Sequence, residues 1–257
     1  MSRVSPVVLH EGSIASGKTT VGKRLMASGL FRVVEEPVLD WQESGLLGRF
    51  YQDSKRWALA FQLAAFQSRA RAWQQLLQRR NAEGEQEGVV TIMERSVFAD
   101  RYVFATNCHL NFGFIDDLEW RIYCDVWETF MVVLCGSLPN VLPPDLIVYQ
   151  YTPAVTCLER VEERGRPEEI HGGITLPYLK SLESVHDGWL LPGFDGTLTP
   201  ADNRLVLGRA RAAIMGVKTV DGAPELAEIG VPVLVINGRI GYAPKELHAA
   251  IMEAVSS

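Results

Sequence analysis

The chain has 257 residues, 47% of them hydrophobic, with 25 Lys plus Arg against 31 Asp plus Glu for a net charge of −6. That length buries a sizeable core in one large domain, and the negative balance argues against a nucleic-acid or anionic-membrane partner. No run of about 18 apolar residues offers a spanning helix, and Cys108, Cys124, Cys135 and Cys157 lack the C-x-x-C spacing of a zinc site or a disulfide framework.

From the N-terminus, Val7, Val8 and Leu9 read as a short buried strand. The stretch ahead of Gly12 leaves no room for a signal or transit peptide before that strand, so a cytoplasmic enzyme is expected. Gly12, Ser13, Ile14, Ala15, Ser16, Gly17, Lys18 and Thr19 then fit G-x-x-x-x-G-K-[ST] at every fixed position, and Thr20 follows. A helical pattern over 18–28 sets Val21, Leu25 and Met26 opposite Lys23 and Arg24. Strand, glycine-rich turn and helix together make a phosphate site. The turn directs backbone N–H groups inward, and the helix N-terminus adds its partial positive charge. Lys18 would reach the β- and γ-phosphates, and the Thr19 hydroxyl is placed to hold Mg²⁺. ATP or another nucleoside triphosphate is the expected donor.

Further strands are expected at 31–35, 89–94, 145–150 and 231–236, short Val- and Ile-rich runs with little alternation, as in strands covered on both faces. Helical stretches lie near 53–80, 97–107, 116–136, 153–165 and 175–190, so the class is α/β, a parallel sheet with crossover helices. Loops are expected at Asn81 to Gly88 and Leu138 to Pro144. The stretch 192–224 mixes Gly, Pro and Asp, with a helix expected at 203–216.

Chemistry-bearing groups fall at the strand ends. Glu35-Glu36-Pro37-Val38-Leu39-Asp40-Trp41 follows the second strand, where side chains border the ligand crevice of an open parallel sheet. Glu36 there is a candidate base for a substrate hydroxyl, although taken alone the motif reads rather as a helix-capping or solvated acidic turn. Glu94-Arg95-Ser96 closes the third strand. Glu94 suits a Mg²⁺-bound water, and Arg95 suits charge developing on a transferred phosphoryl group. Arg160 and Arg164 share a helix face one turn apart, and Gly165, Arg166 and Pro167 break the helix after them. That pattern is either a solvated charged helix or a lid over phosphates. Trp57, Phe61, Gln62, Ala65 and Arg69 place an amide and a guanidinium beside aromatic surface, in a core helix or against a nucleobase.

Taken together, GSIASGKTT, EEPVLDW, RWALAFQLAAFQSRAR, ERSVFADRYVFA, YQYTPAVTCLERVEERGRPEE and LPYLKSLESVHDGWL resemble the deoxynucleoside kinases. They are most similar to the deoxycytidine/deoxyguanosine kinase branch. The resemblance runs from about residue 6 to 191, with a weaker match at 231–255. It implies one kinase domain over 1–257, a five-stranded parallel sheet of order 2-3-1-4-5, a lid near 160–174 and a homodimer. It implies phosphorylation of a deoxynucleoside 5′-OH, with Glu36 as the base, Arg95 at the 5′-oxygen, and Lys18 and Arg160, Arg164 and Arg166 on phosphate. Thr19 and Glu94 would hold Mg²⁺. Trp41, Tyr51, Gln62 and Phe104 would surround the nucleoside, Arg69 and Asp100 would meet the base, and Glu169 with Tyr51 would hold the 3′-OH. Tyr242, in INGRIGYAP, stands where the family binds the donor base. The pair Arg69 and Asp100 implies deoxycytidine or a purine deoxynucleoside over thymidine, whereas INGRIGYAP keeps the position of the donor-base loop but little of its sequence, which leaves the choice of triphosphate open.

Three features set this chain apart from the pattern: Ser13 in the phosphate loop, a longer lid exit after Glu169 that also offers Glu168 for the 3′-OH, and a longer 192–224 stretch. Monophosphate and shikimate-type kinases share only the first motif, and a regulatory GTPase needs an Asn-Lys-x-Asp string that does not occur. A catalytically inactive nucleotide-binding subunit would be expected to lose Lys18, Glu36, Glu94 or Arg95, and all of them are present.

Overall fold

Val7 and Leu9 point to one side of the central strand and Val8 to the other, and all are shielded from solvent. A strand so placed needs layers on both faces. The computed structural model describes residues 5–84, 86–136, 144–170, 173–198, 206–220 and 223–256. Its sheet comprises β1 (Val7–Glu11), β2 (Phe31–Val34), β3 (Val90–Glu94), β4 (Leu146–Tyr151), β5 (Val206–Val220) and β6 (Ala223–Asn237). The spatial order is β2-β3-β1-β4-β6-β5. The first five in that order run parallel, with Leu9 opposite Met93 and Ile147. β5 is antiparallel to β6.

The helices in chain order are α1 (Lys18–Ala27), α2 (Val38–Glu43), α3 (Leu46–Gln52), α4 (Ser54–Glu83), α5 (Val97–Ala99), α6 (Asp117–Gly136), α7 (Ala154–Arg164), α8 (Pro167–Ile170), α9 (Leu176–Leu190) and α10 (Pro244–Ser256). One core, holding Val7, Leu9, Trp73, Phe98, Trp127 and Leu179, fills the side of α4, α6, α7 and α9. The other, holding Val8, Leu25, Ile92, Val148 and Leu247, fills the side of α1 and α10. A third cluster of Trp41, Leu47, Phe50, Phe61 and Cys108 binds α2 and α3 to α4 beyond the sheet's end.

The α/β class and the parallel order hold, and the expected fifth strand is the last part of β6. The strand count does not hold, because the sheet gains β5. The helix expected at 203–216 is a strand over its described residues. Ala210, Ala212 and Ile214 are buried while Arg209, Arg211 and Ala213 are exposed, a period of two that fits a strand covered on one face. The helix expected at 97–107 is α-helical only through α5; Asp100–Ala105 and Asn107–Asn111 are π-helical. α4 runs on to Glu83 where a loop was expected, and α2, α3, α8 and α10 add to the expected helices. Residues 85, 138–143, 171–172, 199–205 and 221–222 of the expected loops, lid and long stretch lie outside the described residues.

Ile214 is fully buried in the larger core, which makes the β5–β6 hairpin part of the folded unit. Ile214→Ala is therefore expected to lower global stability by about 2–5 kcal/mol. Urea unfolding followed by circular dichroism and tryptophan fluorescence checks this. An unchanged midpoint, or a separate early transition for the hairpin, would contradict it.

Candidate active site

The phosphate loop is held by close backbone packing. A Cβ on Gly12 would fall 2.7 Å from the Gln150 carbonyl oxygen, so the loop can pass β4 only with glycine there. Gly17 enters α1 at φ 101°, in the left-handed region. The Ser16 carbonyl oxygen accepts from Gln150 Nε2 (2.6 Å), Arg160 Nη1 (2.7 Å) and Thr152 Oγ1 (3.2 Å). The Gln150 amide is itself fixed by His10, whose Nε2 lies 2.8 Å from Oε1. Burial, then Lys18, lowers the His10 pKa to about 3, so the ring is neutral at physiological pH. Lys18 Nζ donates to the Gly12 and Ser13 carbonyls and to Ser16 Oγ, at 3.0, 2.9 and 3.2 Å. Burial, then Arg95, pushes its amine down to about 7.

Thr19 Oγ1 donates to Glu94 Oε1 at 2.8 Å. Burial raises the Glu94 pKa more than Lys18 lowers it. These are hard oxygen donors beside the loop. Among the described residues no group of three or more His, Cys, Asp or Glu side chains gathers for a metal. Mg²⁺ fits such a site, because it commonly takes one or two protein oxygens and completes its shell with water and phosphate.

Across the cavity, Arg69 of α4 pairs with both Asp100 and Glu36. Arg95 Nε also reaches Glu36, at 3.1 Å, and Arg95 Nη1 donates to the Gly12 carbonyl at 2.8 Å. Burial disfavours the charged form of Glu36, but Arg95 and Arg69 outweigh it and lower the pKa to about 2. Arg95 holds φ 63°, a conformation that a non-glycine residue keeps only under surrounding constraint. Part of that constraint is the next residue. Ser96 Oγ donates to Glu11 Oε1 at 2.6 Å and accepts from the Ala99 amide at 3.2 Å, tying the turn to β1 and α5. Burial raises Glu11 to about 7, against the pull of Arg95.

Lys18, Thr19, Glu36, Arg69, Glu94 and Arg95 line one cavity of about 750 Å³, within the usual range for small-molecule sites. Trp41, Tyr51, Gln62 and Phe104 line its acceptor end, with Glu36, Arg69 and Arg95. Arg164 and Arg166 reach back from α7 and its exit to Glu169, at 2.5 and 3.2 Å. Glu169 is buried and faces the cavity, whereas Glu168 does not line it. Gln62 Oε1 and Asp100 Oδ2 are buried acceptors with no hydrogen-bond partner among the described residues.

Of the residues expected at the site, Ile14 through Thr20, Glu36, Trp41, Tyr51, Gln62, Arg69, Glu94, Arg95, Phe104, Arg160, Arg164, Arg166 and Glu169 all line this cavity. Gly12 and Ser13 lie beneath it and offer carbonyls to Lys18. Asp100 is completely buried behind Arg69 rather than on the wall. Arg160 donates to the Ser16 and Gly238 carbonyls, so it ties the phosphate loop to the segment that follows β6. Tyr242 is misplaced by the sequence reading. Its ring packs in the α1–α10 core, and Gly238, Arg239, Ile240 and Gly241 line the cavity instead. Glu11, His10 and Gln150 were missed. Their only signal was polar groups in strands otherwise apolar, which marks buried hydrogen-bonding but no role.

A family model described as deoxynucleoside kinase matches residues 8–222. A probable deoxycytidine kinase of fowlpox virus is 36% identical over 183 residues, covering 70% of this chain and 69% of the relative. The deoxycytidine kinase of Homo sapiens is 36% identical over 202 residues, 70% of this chain and 74% of that protein. The mitochondrial thymidine kinase 2 of Macaca fascicularis is 31% identical over 190 residues, 73% of this chain and 65% of the relative. Spanning the phosphate loop, the carboxylate–arginine cluster and the lid, this match shows that the chain belongs to the deoxynucleoside kinase family.

Proposed function

We propose that the enzyme transfers the γ-phosphoryl group of ATP, or of another nucleoside triphosphate, to the 5′-OH of deoxycytidine or a purine deoxynucleoside, and disfavours thymidine. The observation that carries this reading is the buried, unpartnered acceptor Gln62 Oε1 on the cavity wall, beside Arg69, whose orientation is held by Asp100 behind it. A buried acceptor left unpaired costs about 1–3 kcal/mol, which a base bearing an exocyclic amino group relieves. Cytosine presents such a donor where thymine presents the O4 acceptor and a methyl group.

In the reaction a 5′-oxygen–γ-phosphorus bond forms, the bond from γ-phosphorus to the bridging oxygen breaks, and the 5′-OH proton passes to Glu36. A strong base is not required, because little bonding to the nucleophile exists in a loose phosphoryl-transfer transition state. A carboxylate held by two arginines suits this role, since it is fixed in place and ionised when the proton arrives. Lys18, Arg95 and the lid arginines spread charge over the phosphoryl oxygens. Thr19 and Glu94 would hold Mg²⁺, which when bound neutralises phosphate charge. Tyr51 and Glu169 would take the 3′-OH. Lys18, Glu36, Glu94 and Arg95 all meet in one cavity, which favours an active kinase over an inactive subunit. The whole chain works as one domain, since β5 and β6 complete the same sheet. Cys108, Cys124 and Cys157 are free thiols, in keeping with a reducing cytoplasm. Leu118, Ile122, Val126 and Val133 are exposed along α6, and a second copy of the chain would cover that stripe in a homodimer.

Glu36→Gln should lower kcat by about 10²–10⁴-fold with little change in KM; near-normal turnover would remove Glu36 from this role. In Arg69→Met with Asp100→Ala the overall rate should fall, because Glu36 loses a partner. The thymidine-to-deoxycytidine ratio of kcat/KM should nevertheless rise by about ten-fold or more. A constant ratio would show that the pair does not read the base. Ile122→Arg should convert a dimer to a monomer in light scattering, and a monomeric unmodified chain would refute the α6 interface.

A further inference from the structure

The β5–β6 hairpin is the part of the sheet that the catalytic reading leaves without a role. β5 is an edge strand, and the outward backbone groups of such a strand ordinarily face water or another chain. Here alternate residues are each bonded by the body of the enzyme. The Arg209 amide donates to Asp195 Oδ1 at 2.6 Å, and its carbonyl accepts from the Asp195 amide at 3.2 Å. The Arg211 amide donates to the Pro192 carbonyl at 3.4 Å. Trp189 Nε1 donates to the Ala213 carbonyl at 3.0 Å, and the Met215 amide donates to Tyr102 Oη at 2.9 Å.

The last of these bonds reaches the acceptor wall. Tyr102 stands in the π-helical segment Asp100–Ala105, between the residue that pairs with Arg69 and the ring that lines the cavity. Side chains two positions apart leave a helix on opposite sides, so Asp100 and Phe104 face Arg69 and the cavity while Tyr102 faces the hairpin. The Tyr102 ring stacks on Trp189 at 5.2 Å and meets Trp127 edge-on at 6.2 Å. On the other side Phe104 lies under the Arg95 guanidinium at 4.6 Å and meets His186 of α9 edge-on at 6.2 Å. A π-helical turn is a rare geometry that tends to occur at functional sites. The hairpin supplies one of the contacts that hold this one.

We propose that the β5–β6 hairpin is a positioning element for the nucleoside: through the Met215–Tyr102 bond it holds the segment that sets Asp100 and Phe104, and so contributes to base discrimination. This rests on the kinase reading above and names Tyr102 as a positioning residue that touches no substrate.

The test is steady-state kinetics on Tyr102→Phe, which removes the hydroxyl and keeps the ring stack. KM for deoxycytidine should rise by about 3–10-fold, the deoxycytidine-to-thymidine ratio of kcat/KM should fall by a similar factor, and KM for ATP should stay the same. Met215→Pro removes the other end of the same bond at an outward amide of an edge strand, where proline is tolerated. It should reproduce the shift, and the double variant should show no more than either single one. Unchanged KM and ratio in Tyr102→Phe overturn the proposal whether or not Met215→Pro folds, as do singles that add fully in the double. An unmodified enzyme that phosphorylates no deoxynucleoside overturns the kinase reading and this one with it. An active enzyme with an indifferent Tyr102→Phe overturns this one alone.

Discussion

Arg69 sits almost wholly out of solvent between Glu36 and Asp100, and the acceptor end of the cavity depends on that placement. Each carboxylate is costly to bury alone, and each is tolerated because the guanidinium is shared between them. Asp100 has no other ion-pair partner among the described residues, and Glu36 has Arg95 besides. Removing Arg69 would leave a buried carboxylate unpaired on one side and loosen the base on the other. In the proposed reaction, substrate reading and proton acceptance would thereby be joined in one side chain.

The same economy of charge runs toward the donor. Lys18, Arg95 and Arg69 face Glu11, Glu36, Glu94 and Asp100 within one buried region, and the ionisation of Lys18, Glu11, Glu36 and Glu94 depends on these neighbours. Glu36 stays ionised because two arginines offset its burial, while Glu11 and Glu94 are raised because burial outweighs their cations. Backbone geometry supports this arrangement. Arg95 keeps its positive φ through the Ser96–Glu11 bond, and the phosphate loop keeps its shape through Gln150, Thr152 and Arg160 on a single carbonyl.

Much of this was legible in the sequence where backbone geometry demands particular residues. Gly12 and Gly17 with Lys18 spell a phosphate loop because close packing and positive φ exclude other residues. Glu36 and Glu94 were found because parallel strands end at the ligand crevice. What stayed hidden depends on partners distant in the chain. Nothing local marks Arg69 as a partner of Glu36, or Glu11 as the anchor of Ser96. β5 was misread because Ala210, Ala212 and Ala213 favour helix by propensity, although Arg209 and Arg211 alternate with the two buried alanines. Tyr242 was placed by its position in a loop, and the core claimed its ring.

The central claim is that a phosphate loop and an amino-reading wall, Gln62 with Arg69 braced by Asp100 behind it, share one cavity. The most direct measurement is initial rates for the four natural deoxynucleosides with Mg-ATP and Mg-UTP, with the product identified by mass spectrometry. The account predicts 5′-monophosphates of deoxycytidine, deoxyadenosine or deoxyguanosine, with thymidine at least about ten-fold lower in kcat/KM than the best of them. Thymidine as the best substrate, or transfer to none of the four, would contradict it.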